Sequence, residues 1–316
     1  MITLHWLYAF AGLMFAAFAL LSALDKSHSH RFGNAAFWGL MALSLLAGDL
    51  IGDLGNGVLV LALAGLAGFG FIGRSQPPTT RDDERQRWAD RLGNKLFLPA
   101  LIIPVTALIG TLAYNYTPMG ALGWIEPKRE TYVFLAVGVL LALATIFIWL
   151  RPPAVAPLQE GRRLIDAIGW AAVLPQMLAA LGVLFAAAGI GDIIGAATRS
   201  VIPDGSIFLT VVIFGLGMAL FTMIMGNAFA AFPVMATAIG VPVLIHNYGG
   251  DPAIVGAIGM LAGFCGTLMT PMAANFNLVP AALLELKDQN AVIKAQIGTA
   301  VPLLIVNILL IYFLAF

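Results

Sequence analysis

The chain has 316 residues, of which 60% are hydrophobic and 10% charged, with a formal net charge of zero and a mean hydropathy of +0.95. A soluble domain carries about 25% charged residues, so this composition excludes a soluble globular protein, and the balanced charge offers no grip on nucleic acid. The single cysteine, Cys265, excludes an intrachain disulfide and reads as a small packing residue.

From the N-terminus, Met1 to His5 lacks a basic leader, and the apolar run to Leu24 is too long for the core of a cleaved signal peptide. It is expected to be the first membrane span. Crossing the hydrocarbon takes about 20 apolar residues, and spans are expected at 4–24, 32–51, 58–73, 96–114 and 132–150. The odd connections carry Lys26 and Arg31, then Arg74, Arg81, Arg85, Arg87, Arg91 and Lys95, then Arg151, Arg162 and Arg163. The even connections carry only Lys128 and Arg129. Cytoplasmic loops are enriched in Lys and Arg, so the N-terminus is expected outside and the basic loop 74–95 in the cytoplasm.

Within that loop, Arg81 to Trp88 mixes both signs at helical spacing. It reads either as a solvated topogenic loop or as a docking helix for a partner or anionic membrane lipid. Asp49 and Asp53 would share a helix face if their helix continues, and read as an interfacial cap. His28 and His30 lack further metal ligands and read as solvated.

After Arg163 the pattern changes, which divides the chain into an N-terminal region 1–163 and a C-terminal region 164–316. The run 164–188 is long enough to span but is interrupted by Pro175, a residue that removes a helix hydrogen bond. Gln176 follows, placed to meet a substrate amide or to bridge two helices. A short amphipathic helix is expected over 189–199, a span over 207–225 and the last span over 292–314. Between these last two spans, Pro233, Pro242, Pro252 and Pro271 punctuate an apolar sequence whose uncharged polar side chains cluster at the breaks: Asn227, Thr237, His246-Asn247, Thr267, Thr270, Asn275 and Asn277.

Broken segments free backbone polar groups at membrane depth, which is tolerated only where they are buried or line a cavity. In secondary transporters such breaks hold substrate and coupling ion. Two tips are expected, Gly226 to Pro233 and Gly266 to Asn275, either as re-entrant hairpins or as unwound helices. Backbone N–H groups there suit a carboxylate, and Asn and Thr oxygens suit a hard cation. The candidate substrate and ion contacts are Gly226, Asn227, Gly266, Thr267, Thr270, Asn275 and Gln176. Small-residue helix packing is the competing explanation for the glycines. Between Ile207 and Ala282 the ionisable groups are His246, Tyr248 and Asp251, so a small, singly charged substrate is expected. No partnered nucleophile or zinc motif is present, so the chain is not expected to be an enzyme, and no cofactor is expected beyond H⁺ or Na⁺ as coupling ion. The expected fold class is an all-α polytopic membrane protein of about eight or more segments.

The run from Gly259-Met260-Leu261 through Gly266-Thr267-Leu268-Met269-Thr270-Pro271 and Asn275-Phe276-Asn277 to Leu286 resembles the signature of a bacterial membrane family. Gly93-Asn94-Lys95-Leu96-Phe97 and Gly226-Asn227-Ala228 fit the same resemblance, which covers the whole chain. The family, formerly a domain of unknown function, is described as the larger subunit of two-component 5-oxoproline (pyroglutamate) transporters. The broken half is more distantly similar to the ion-transporter superfamily of carboxylate transporters. The resemblance implies a smaller membrane subunit as partner, import of 5-oxoproline across the bacterial inner membrane, and transport driven by H⁺ or Na⁺. Other small carboxylates, a scaffold role and a membrane-embedded enzyme stand as alternatives.

Overall fold

The computed structural model describes residues 1–75, 81–201 and 206–316, which form two compact units, Met1–Asp166 and Ala167–Phe316. The protein is an all-α polytopic membrane protein: among the described residues, seven helices are long and apolar enough to cross a bilayer.

The first unit holds α1 (Leu4–Leu24), α2 (Arg31–Gly68), α3 (Asp82–Leu92), α4 (Leu98–Tyr116), α5 (Glu130–Leu150) and α6 (Ala156–Ile168). Although α2 counts as one helix, it folds back on itself at Gly52, whose φ of 66° only glycine adopts freely. Asn56 Nδ2 donates to Gly48 O at 2.8 Å, and Asn34 Nδ2 donates to Gly73 O at 2.7 Å. In an unbroken helix, eight residues advance about 12 Å, so these bonds require a helical hairpin. The two arms correspond to the spans expected at 32–51 and 58–73. The turn also separates Asp49 from Asp53, so they do not share one helix face; Asp49 instead lies 3.7 Å from His5, both exposed.

The first arm of α2 runs antiparallel to α1, with Gly12 against Leu46 and Phe15 stacked on Trp38. Likewise α4 and α5 form an antiparallel pair, in which Gly138 lets the backbone of Ile103 approach. Ile2 pairs with Trp124 and Glu126 beyond α4, and Glu126 caps α1 by accepting from Leu4 N at 3.1 Å. The N-terminus, the Gly52 turn and the 117–129 connection therefore share one end. At the other end, Arg162 meets Asp25, Ser75 meets Asp166, and Arg85 of α3 meets Glu160. His28 Nε2 lies 3.3 Å from Gly73 O, so this histidine belongs to the loop packing, and no cluster of metal-ligating residues occurs among the described residues.

The second unit contains α7 (Leu174–Ala187), α8 (Ile190–Val201), α9 (Ile207–Met225), α10 (Ala228–Met235) continuing as a π-helix (Ala236–Asn247), α11 (Pro252–Leu268), α12 (Leu278–Leu283) and α13 (Ala291–Ala315). The interruption expected at Pro175 falls instead at Gly169, with a φ of 56°. Pro175 sits at the second position of α7, where a missing N–H is tolerated. Likewise Pro233 and Pro242 do not break the chain. They lie inside the continuous 20-residue helix Ala228–Asn247, Pro233 in its α-helical first part and Pro242 among the wider π turns that accommodate its lost bond. The tip expected at Gly226, as a re-entrant hairpin or an unwound helix, is thus a tight link between two full-length helices.

Gly259 against Phe214 and Gly263 against Met218 place α11 parallel to α9. Gly217 against Met235 and Gly240 against Phe214 make α10 and its π continuation antiparallel to them. Asn307 against Cys265, and Asp251 N donating to Ala315 O, set α13 antiparallel to α11. Phe214, Met218, Ile239, Leu244, Ala262 and Ile311 form the core of this bundle.

Candidate functional site

Because α9 and α11 are parallel, their C-terminal ends lie at the same end of the bundle. Both polar breaks therefore meet there, and between them opens a cavity of about 180 Å³. Its walls are Gly226, Asn227, Ala228 and Phe229 at the α9–α10 link, Phe264 and Thr267 of α11, Met272 to Phe276 beyond it, and Leu174 of α7. None of the lining side chains ionises at neutral pH.

The link is built by its sequence. Gly226 closes α9 in the left-handed conformation, φ 69°, with its N–H on Thr222 O at 2.7 Å. Asn227 follows as the N-cap of α10, its Oδ1 accepting from Phe229 N at 2.8 Å. That bond commits the amide oxygen and leaves Nδ2 to donate. Ala228 contributes a small wall beside the start of a helix, where the backbone dipole favours an anion.

The opposite wall is held by a hydrogen-bonded turn. α11 ends at Leu268, and the chain runs without a regular helix to α12. Asn277, fully buried, donates from Nδ2 to Thr267 O at 2.8 Å and Thr270 O at 2.6 Å. Thr270 Oγ1 donates to Met223 O of α9 at 2.8 Å and accepts from Met272 N at 3.2 Å. These bonds satisfy carbonyls that the end of a helix leaves open, and they fix the loop that carries Ala273, Ala274 and Asn275 to the cavity.

The structure thus brings together four of the residues singled out from sequence: Gly226, Asn227, Thr267 and Asn275. Thr267 donates to Gly263 O at 3.4 Å, leaving its oxygen lone pairs as acceptors, while Asn275 is exposed. Thr270 does not line the cavity but ties its wall to α9. Gly266 does not line it either: a Cβ there would fall on the Ala219 carbonyl, so this glycine serves close helix packing. The side chain of Gln176 lies outside the described residues. Sequence reasoning named Asn277 among the polar groups of the broken region but not among the candidate contacts, although its place two residues after Asn275 set it on the same turn. The apolar walls Leu174, Phe264 and Phe276 carried no signal of their own.

No curated protein and no solved structure matches the chain. Residues 5–316 match the family described as "Protein of unknown function (DUF979)", and a match of that extent places this chain in the DUF979 family.

Proposed function

We propose that this chain is the larger subunit of a secondary active transporter that imports 5-oxoproline, driven by H⁺ or Na⁺ and working with a smaller membrane subunit. The observation that carries the reading is the neutral cavity between the α9–α10 link and the end of α11. A monocarboxylate suits it: the start of α10 and Asn227 Nδ2 supply donors to an anion, and the walls supply no opposing charge. The lactam N–H and C=O of 5-oxoproline need one acceptor and one donor, which the Asn275 amide offers together. Phe229, Phe264 and Phe276 give the ring apolar contact. In this reading the N-terminus faces outward and the arginine-rich connections lie on the cytoplasmic side of the bacterial inner membrane.

The test is labelled 5-oxoproline uptake into proteoliposomes with this chain alone, with the smaller subunit, and with the smaller subunit alone. Uptake that needs both chains and follows an imposed Na⁺ or pH gradient is expected. No uptake under any gradient, with both chains inserted, would refute the substrate. Competition by unlabelled proline, lactate and succinate then distinguishes a lactam site from one for another small carboxylate.

A further inference from the structure

Asp166 is the one buried carboxylate among the described residues, at 4% exposure. It lies on α6, which is not among the candidate spans. Trp38 Nε1 donates to its Oδ1 at 2.6 Å, and Ser75 Oγ donates to its Oδ2. Both partners are uncharged. One helical turn earlier, Arg162, equally buried, donates from Nη1 to Leu21 O at 2.6 Å and from Nη2 to Asp25 Oδ2 at 2.7 Å. Its Nε is buried without a partner. Residues four apart on a helix are neighbours, so the guanidinium is within reach of Asp166 yet committed to the end of α1.

The other charged or titratable groups at this end include Lys26, His28 and His30 between α1 and α2, Arg31 where α2 begins, Arg74 beside Ser75, Glu160 and Arg163 on α6, and Arg85 on α3, paired with Glu160 at 3.4 Å. Burial pushes the Asp166 carboxyl above the ordinary carboxylate range, against the opposing pull of Ser75, Trp38, Asn34 and the Arg162 charge. Asp25 stands on the opposite side of its ordinary value, held low by hydrogen bonds from Ser27 and by Arg162.

We propose that Asp166 is a proton-binding site, and that when it loses its proton Arg162 turns from Asp25 toward it through the unpartnered Nε. Protonated, Asp166 sits neutral between Trp38 and Ser75 while Arg162 clasps Asp25 and Leu21. Ionised, it is a buried charge one helical turn from the unpartnered Nε of Arg162, and a buried charge needs a partner. Proton release thereby loosens the clasp between α6 and the end of α1. The sign follows from the raised carboxyl: stability from this group is fully present below the ordinary carboxylate value and is lost as pH rises through the raised folded value.

Infrared difference spectroscopy of the purified protein across pH tests this without reference to transport. A protonated-carboxyl band is expected to persist above the ordinary carboxylate range, to disappear as pH rises further, and to be missing in Asp166→Asn. Ser75→Ala removes a bond to the ionised form and should raise the midpoint by about one unit. Asp25→Asn frees Arg162 and should lower it by about one unit. No titrating band in the wild type, or one unchanged in Asp166→Asn, would overturn the site. Should Asp166→Asn fail to fold, an unmoved midpoint in Ser75→Ala does the same, and an unmoved midpoint in Asp25→Asn overturns the partner exchange.

Discussion

In the first unit, the helix windows able to cross a membrane bury between 11% and 17% of their residues within the chain's own fold, whereas in the second unit α9 buries 39% and the α10–π helix 56%. The first unit leaves its helix faces to lipid or another chain and gathers its ion pairs at the helix ends, at Arg162–Asp25 and Arg85–Glu160. The second turns neutral polar groups inward, where Thr222, Thr267, Thr270, Asn277 and Asn307 are all buried. A charge is costly at the centre of a bilayer, whereas an amide or hydroxyl can be satisfied by a helix-end carbonyl. The contrast supports the proposal that substrate binds in the second unit.

The sharpest way to break that assignment is Asn227→Asp, which keeps the cap on Phe229 but replaces the Nδ2 donor with a negative oxygen. A lost charge-assisted bond plus a like charge in a low-dielectric cavity is worth about 3 kcal/mol or more, so uptake should fall about 100-fold or more while assembly with the partner persists. Uptake assays paired with size-exclusion profiles measure both. Gly266→Ala should act on folding instead. Its Cβ would fall on backbone of α9, not on a flexible side chain, and such overpacking costs about 1–3 kcal/mol; a lowered melting temperature and yield are expected.

Asn277→Ala strips the bonds from Thr267 O and Thr270 O, at about 1–3 kcal/mol. The affected turn bears the cavity wall, so apparent substrate affinity should weaken more than maximal rate. Thr270→Val, which removes the bond to Met223 O and the one accepted from Met272 N, should cost about 1–2 kcal/mol and weaken uptake modestly. At the other extreme, Glu160→Gln in the first unit loosens two partly exposed pairs, with Arg85 and Arg163, and should change stability by no more than about 1 kcal/mol, with uptake unchanged.

Much of the first unit was legible because each span is a continuous apolar run and charges mark its ends. The Gly52 turn was visible as a gap between two runs, although the helix on either side of it is nearly unbroken. The second unit was harder to read. Pro233 and Pro242 suggested breaks, but a π-helix keeps the segment continuous, and no local sequence rule separates a π turn from a break. The pairing of Asn227 with Thr267 and Asn275 depended on α9 and α11 running parallel, which is a tertiary fact. Asp166 escaped notice because it lies in a polar stretch, and only its partners Trp38 and Ser75, distant in sequence, make it a buried acid.

Equilibrium binding of labelled 5-oxoproline to the purified two-chain complex, compared between wild type and Asn227→Asp, tests the central claim most directly. Saturable binding to the wild type that is lost in the variant is the predicted result. Equal binding by both would place the substrate elsewhere and contradict the assignment of the cavity at the α9–α10 link.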